Sequence, residues 1–449
     1  MRSPLQSPRL RRIIAAYTIN RFGTWLGYVA LSIAVYDHTH SALAVAALLV
    51  AGQALPAFVV PAVVARVESS TRRGELSWLY WIEAVTTAAL AILLSRFWLP
   101  GMLVLVALDG TAALAASALM RAELAKAARE EALARAGAGP GAVPADGGRP
   151  QPATTAGSPA DEAAHEAERQ ANAALNMAFS VTFVLGPAVG GAIVAGAGAP
   201  AALFIDVGTF VVCGALLLDL QPNVEEAGGD SVRARLQAAW RHINEAPSLR
   251  SLLLVEAIAL VFAESAGPIE VAYAKSTLHA GDGGFGLLVA SWGAGAVLGS
   301  LVFARSLSRP LGALLSAGTL AVGMAYLGYA GAPSLLLACG AALLGGIGNG
   351  VELPSLTSIV QRITPQELHA RVLGAVESLV AICVTLALPL GGLLVALSSP
   401  RIAFLIVGVG AIATTPALLR LSRGGVARAA ARPHDGSQTG SPVGSFGDS

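Results

Sequence analysis

Charges are missing from long, closely spaced stretches of this chain, and that constrains its fold more than any motif does. From Ile13 to Leu421, apolar runs of membrane-spanning length follow one another, broken by short polar loops. A bilayer core of about 30 Å takes roughly 20 apolar residues per helix, and every backbone polar group inside it must be bonded within the span. Only 13% of the residues are charged, against about 25% in a soluble globular domain. Hydrophobic residues make up 55% and the mean hydropathy is +0.65. With aromatics at 6% and 50 glycines, closely packed helices fit better than a barrel of strands. The fold class implied is an all-α polytopic membrane protein, which excludes most soluble-enzyme classes.

The pattern predicts about twelve spans. They fall near Ile13–Tyr36, Ala42–Val64, Leu76–Leu94, Leu99–Leu119, Ala171–Val194, Pro200–Leu218, Ser251–Ser276, Gly283–Phe303, Leu311–Tyr329, Pro333–Val360, Val372–Leu397 and Ile402–Leu421. The first run is too long for the apolar part of a cleavable signal, so it reads as a span. Basic residues set the orientation. With the N-terminus inside, only Arg96, Lys275 and Arg401 fall outside and Arg21 lies within a span. That asymmetry places both termini in the cytoplasm and the chain in the cell membrane. The net charge of +1 gives no reason to expect nucleic acid as a partner.

The expected organisation is a cytoplasmic N-terminus at 1–12, a six-helix bundle at 13–218, a cytoplasmic loop at 219–250, a second bundle at 251–421 and a disordered tail at 422–449. Gly137–Asp161, rich in Ala, Gly, Pro and Thr, reads as a flexible insert after the fourth span. Leu236, Trp240 and Ile243 in the central loop stand at helical spacing among arginines, as in a helix lying on the inner membrane face. Cys213, Cys339 and Cys383 all lie in predicted spans and match no metal spacing, so no cofactor or metal is expected and the cysteines read as packing residues.

The halves repeat. Pro61-Ala-Val-Val-Ala-Arg66 has its counterpart in Gly299-Ser-Leu-Val-Phe-Ala-Arg305. Val189-Gly-Gly-Ala-Ile-Val194 matches Leu390-Gly-Gly-Leu-Leu-Val395, and Ala202-Leu-Phe-Ile205 matches Ala403-Phe-Leu-Ile406. The first interval is longer by about the insert and its flanks. Six spans repeated as six, about an axis along the membrane normal, is the relation between the halves of major facilitator transporters.

The chain resembles that superfamily over nearly its whole length, and most resembles its drug-efflux and enterobactin-exporter-like branch. The resemblance rests on Arg21-Phe-Gly-Thr-Trp-Leu26, Ser41-Ala-Leu-Ala-Val45, Ala171-Asn-Ala173, Gly186-Pro-Ala-Val-Gly-Gly191, Gly293-Ala-Gly-Ala-Val-Leu-Gly299 and Gln361-Arg-Ile-Thr-Pro-Gln366. The Gly186–Gly191 stretch is similar to the closing part of the exporters' antiporter signature, whose upstream glycines are replaced here, for instance by Thr182. The superfamily's loop motif after span two is degraded: Pro61 takes the Gly position and Ala65 the Asp position, while Arg66 is kept. The second-half copy ending in Arg305 is similarly incomplete. The resemblance implies a fold of two pseudo-symmetric six-helix bundles. It also implies a central path lined by spans one, two, four, five, seven, eight, ten and eleven.

An ionisable side chain at the bilayer centre costs about 2.5–3.5 kcal/mol on insertion scales, so such residues face a cavity or a partner. Those within spans are Arg21, Glu83, Asp109, Asp206, Glu256, Glu264, Glu270, Glu352 and Glu377. Asp109 and Glu264 lie near mid-span and Arg21 roughly 12 Å deep. Glu256 and Glu377, near the inner ends, are expected to be solvated. The implied architecture turns Glu83 and Asp206 into structural partners and selects Arg21, Asp109, Glu264 and Glu352 as pathway candidates. Asn20, Tyr273, Trp292 and Asn349 are candidates for hydrogen bonding or stacking with a substrate. Arg21 is expected to pair with Asp109, since both belong to the first half. Gly186 with Gly190, Gly295 with Gly299, and Gly346 with Gly350 are small-residue pairs for close helix approach. Pro187 is expected to bend span five.

A carboxyl group shielded from water can take a proton on one side of a membrane and give it up on the other. Asp109, Glu264 and Glu352 each suit that use. The reading is therefore a proton-coupled secondary transporter, acting as a monomer on a small amphipathic molecule, most simply an exporter. An importer on the same fold, or a transporter-like sensor or scaffold, remains the alternative. No phosphate-binding loop for ATP-driven pumping is seen in the sequence, and no paired acidic or His-rich motif of a membrane enzyme stands at a membrane face.

Overall fold

The computed structural model of the chain describes residues 7–68, 75–135, 159–218, 240–241, 243–306, 308–365 and 368–421, and all regular structure among them is helical. Helix α1 is Pro8–Thr39. The second, α2, runs through Ala42–Leu49, a wide π turn at Val50–Ala54 and Leu55–Glu68. The first half continues with α3 (Glu75–Leu93), α4 (Leu99–Arg135), α5 (Pro159–Ala197) and α6 (Ala199–Leu216). The second half begins with α7, made of Pro247–Glu264, Ala266–Ala272 and a π turn at Tyr273–Thr277. It continues with α8 (Gly281–Arg305), α9 (Leu311–Gly331), α10 (Leu335–Ile363), α11 (His369–Leu397) and α12 (Pro400–Leu421).

Turn chemistry explains the boundaries. The Ser7 hydroxyl accepts the Leu10 N–H and Pro8 occupies the first turn, where no N–H is required. His40 closes α1 in the left-handed conformation at φ 49, its N–H returning to the Tyr36 carbonyl, and the Ser41 hydroxyl then caps α2. Prolines open α6, α7 and α12 in the same way. Among the described residues, eleven helices are long and apolar enough to cross a membrane. The exception is α1, whose Asn20, Arg21, glycines and tyrosines dilute its apolar character. It is nonetheless 32 residues long and packed on α5 and α6.

The packing repeats as the sequence does. In the first half α1 touches α5 and α6, α3 touches α4 and α6, and α2 touches α4. In the second, α7 touches α11 and α12, α9 touches α10 and α12, and α8 touches α10. The halves meet through α5 on α8 and α2 on α11, a pair of contacts related by the same exchange. Small residues make the closest approaches. A side-chain carbon on Gly295 would lie 2.9 Å from the Gly346 Cα, and one on Gly299 would lie 3.0 Å from the Gly350 Cα. These two pairs lock α8 to α10, while Gly186 and Gly190 seat α5 on Trp25 and Leu26 of α1. Packing therefore absorbs all three glycine pairs.

Two expectations need correction. Spans four and five do not stop at Leu119 and Ala171. Helix α4 runs 16 residues further, to Arg135, roughly 24 Å, and α5 starts at Pro159, inside the stretch assigned to the insert. The reason is a buried alanine stripe: Leu124, Ala127, Ala128 and Ala132 pack with Ala164, Ala167 and Ala171. Charges flank it, with Arg129 4.0 Å from Glu168 and Arg9 of α1 bound to Glu123 and Glu130. The rest of the insert, the tail and most of the central loop lie outside the described residues. Of the loop helix, 240–241 and 243–245 are helical, with Ile243 buried and Trp240 exposed.

Candidate transport pathway

Short links place His40, Gly198, Leu278, Ala332 and Ser398 at one end of the bundle, here the far end; the other end bears the helices' connections to both termini. The halves close on one another at the far end. A side-chain carbon on Gly191 of α5 would lie 3.0 Å from the Gly286 Cα of α8, and one on Gly392 of α11 2.9 Å from Leu43 and Ala46 of α2. Lys275 adds a charged link across the halves, 2.8 Å from Asp37 of α1 while also bonded to Asp282.

Deeper, the α5–α8 contact reaches Phe183 and Gly293. Beyond that level the same face of α5, stepping back by helical turns, carries Phe179, Asn176 and Asn172, and all three are exposed. On α8 the matching positions Ser300, Leu301 and Ala304 are exposed too. The facing helices thus separate toward the terminus-bearing end.

Aromatic rings roof this opening. Phe183 stacks on Trp25 at 4.6 Å and touches Phe179, Trp25 meets Tyr28 edge-on at 5.8 Å, and Tyr28 faces Phe285 of the other half at 6.2 Å. Sequence reasoning missed these rings, since nothing in their spacing separates them from packing aromatics. Tyr28 also approaches α7 at Gly267. Glu264 of α7 is exposed to this space, within electrostatic reach of Tyr28, Glu270, Glu352 and, on α11, Cys383.

In the first half, Arg21 and Asp109 do not pair. The Arg21 guanidinium donates to the Ser117 hydroxyl and lies 5.3 Å from the Tyr17 ring centre, and its Nε is buried without a partner. Asp109 instead accepts from Thr86 at 2.7 Å and from Thr87 at 2.9 Å, both on α3. Two adjacent threonines satisfy the carboxyl where one distant guanidinium was expected. Asn20 is buried with its amide nitrogen unpartnered, beside Glu83, whose carboxyl oxygens are also buried and unpartnered. Asp206 presses its carboxyl against α1 at Gly23 and Gly27. Glu83 and Asp206 are both buried within the first half.

The second half departs further from expectation. Tyr273 is fully buried, donating to the Tyr329 carbonyl at 2.7 Å and meeting the Phe404 ring edge-on, so it cannot meet a substrate here. Trp292 stacks on Tyr326 at 5.7 Å and fits against Gly345 of α10, a packing role. Asn349 is half-buried. Glu352 accepts from Thr319 of α9 at 2.7 Å, and Glu270 from Tyr329 at 3.2 Å. Glu256 was expected to be solvated but is only 8% exposed. Helix α7 begins at Pro247, four residues before the expected start, which puts Glu256 roughly 14 Å in from the helix end. There its carboxyl is within electrostatic reach of Glu352, and its Oε2 is buried without a hydrogen-bond partner. Between their terminal turns, α7 to α12 contain no Lys or Arg. Arg66 lies in α2 and Arg305 is exposed in the last turn of α8. Pro187 stands inside α5, its carbonyl against Gly286.

A two-bundle helical fold around a polar path, closed at one end, defines a membrane transporter. The comparisons agree: the family described as transmembrane secretion effector matches residues 151–387. The chain belongs to that family and, with it, to the major facilitator superfamily of transporters, which are not enzymes. No curated protein matches it. Among solved structures it is similar to the nucleoside transporter NupG, at 12% identity and a TM-score of 0.68, over 92% of this chain and 99% of that one. It is also similar to a bacterial homologue of the iron transporter ferroportin in an inward-facing state, at 15% identity and 0.66, over 95% and 100%. A third is a bacterial homologue of the lysosomal transporter Spinster, inward-facing and occupied, at 12% and 0.64, over 96% and 97%. At these identities the likeness is one of fold.

Proposed function

We propose that this protein exports small amphipathic cations from the cytoplasm by alternating access, driven by proton exchange. The observation that carries this reading is Glu264, an exposed acid with no ion-pair partner among the described residues, beside the aromatic row Phe179, Phe183, Trp25 and Tyr28. An aromatic face and an unpaired carboxylate together favour an organic cation over an anion or a sugar. The basic-residue asymmetry makes the terminus-bearing end cytoplasmic, so the conformation described is inward-facing, ready to load from inside. The secretion family to which the chain belongs supports the outward direction. An exporter also needs a group that carries protons inward as cargo leaves, and the acids without basic partners in the second half supply candidates.

The test uses purified protein in proteoliposomes with an imposed proton gradient and two probes, ethidium and an anionic amphipathic dye. Gradient-dependent ethidium movement against its concentration, with no movement of the anionic dye, is expected. Glu264→Gln should reduce ethidium transport at least tenfold. Transport of the anionic dye alone, or ethidium movement indifferent to the gradient, would overturn the reading.

A further inference from the structure

Gln53 is the one side chain with a hydrogen-bonding group between Ala42 and Val64, a stretch otherwise made of Ala, Val, Leu, Phe, Gly and Pro. An amide at that depth is costly unless it meets a partner or a water-filled space. Gln53 is exposed, and no hydrogen bond among the described residues engages its side chain. It stands inside the π turn of α2, Val50–Ala54, a local widening of the kind that recurs at functional sites.

Its surroundings follow from a contact one turn away. A side-chain carbon on Gly267 of α7 would lie 3.4 Å from Leu49 Cδ1, 3.7 Å from Leu388 Cδ2 and 3.9 Å from the Tyr28 hydroxyl oxygen, so α1, α2, α7 and α11 converge there. Helix α2 leaves the far end, and Gln53 follows Leu49 by four residues, on the same face. Helix α7 approaches the far end, and Glu264 precedes Gly267 by three. Each step is roughly 5 Å toward the terminus-bearing end. Gln53 and Glu264, both exposed, therefore meet the same opening from opposite halves and at one depth, with the Tyr28 hydroxyl above them. The bilayer side of α2 lies elsewhere, at Leu55, Phe58 and Val59, and Gly52 is seated on Val106 of α4.

Three acceptors thus converge: the Glu264 carboxylate, the Gln53 amide oxygen and the Tyr28 hydroxyl. The rings do not form a cage for a cation that lacks hydrogens. One face of Trp25 is covered by Phe183 at 4.6 Å, and Tyr28 reaches α7 with its hydroxyl.

We propose that the cargo carries its charge as a primary ammonium, whose three hydrogens are taken by Glu264, Gln53 and Tyr28 while its apolar part lies along Trp25, Phe183 and Phe179. This rests on the proposed export of amphipathic cations and narrows it. A quaternary nitrogen brings the same charge to Glu264 but has nothing to donate, so it forfeits the bonds to Gln53 and Tyr28.

The experiment measures binding to the purified full-length protein in detergent at pH 7 by isothermal titration calorimetry. The probes are 4-phenylbutylammonium and its N,N,N-trimethyl analogue, which share one tail and one positive charge. Wild type is expected to bind the primary ammonium at least about tenfold more tightly. Gln53→Met keeps the side-chain length and suits an otherwise apolar helix; it should cut that preference about threefold or more. Adding Tyr28→Phe should abolish it, the loss falling on the primary ammonium alone. Equal affinities in wild type would overturn the proposal. So would a preference that survives the double substitution, since it would then reflect size rather than hydrogen bonding. The two readings fail separately: cations bound equally retire only the ammonium assignment, whereas binding of neither retires cation export and this proposal with it.

Discussion

Arg21 shows what a single residue contributes to this fold. Its guanidinium is held by one hydroxyl, Ser117, and by the face of Tyr17, with Nε left unmet. A hydrogen bond to a charged group contributes about 1.5–3 kcal/mol, so Arg21→Ala should lower the thermal midpoint of the purified protein. Because Asp109 is satisfied by Thr86 and Thr87 rather than by Arg21, adding Asp109→Asn should not restore what Arg21→Ala loses. Full recovery in the double variant would mean that Arg21 and Asp109 are coupled after all. Although α1 begins at Pro8, five residues before the expected start, it was legible in the sequence that Arg21 and Asp109 lie inside helices, because both stand within long apolar runs. The partners were not, because the rotation of one helix against another decides which of several hydroxyls and carboxylates meet. Glu256 makes the same point: a four-residue error in where α7 begins turned a buried acid into an apparently solvated one.

At the scale of helices, apolar runs and caps carried most of the information. All the expected spans are helical, since backbone groups in a membrane have no better solution. The extensions of α4 and α5 escaped notice because their charged residues dominate the composition, while the alanine stripe that binds them is only weakly apolar. The glycines of α8 and α10 support a sharper statement. A side chain at Gly299 would meet the Ile347 backbone, with the Gly350 Cα only 3.0 Å away, and backbone cannot rotate aside. Overpacking costs about 1–3 kcal/mol even among movable side chains, so Gly299→Val should cost more than that and leave little monodisperse protein in size-exclusion chromatography. Gly374→Ala on α11, where nothing stands within 4 Å, should behave as wild type. Equal yields of the two variants would mean that α8 and α10 are not locked as described.

The whole molecule is a pair of similar bundles joined through α5 on α8 and α2 on α11, and the sequence repeat made the two bundles legible. Which end is closed was not legible, because it depends on contacts between halves that no local pattern encodes. The far-end closure combines small-residue contacts, Gly191 with Gly286 and Gly392 with α2, and a charged link from Lys275 to Asp37. The first kind can separate without leaving a buried polar group exposed to hydrocarbon. The second is specific to this state, since opening the far end must pull α1 away from α7. Lys275 is 19% exposed and Asp37 41%, so the link is only partly shielded and contributes on the order of 1 kcal/mol or less to the closed state. One such increment changes a two-state population by about fivefold. Lys275→Gln should therefore raise the far-open fraction by up to that factor, without loss of folded protein. Spin labels on cysteines placed at Thr39 and the exposed Ser276 of α7, on a background lacking the native cysteines, would read the separation directly. A longer-distance population that grows in Lys275→Gln is expected. An unchanged distance distribution would show that the glycine contacts alone keep the far end shut.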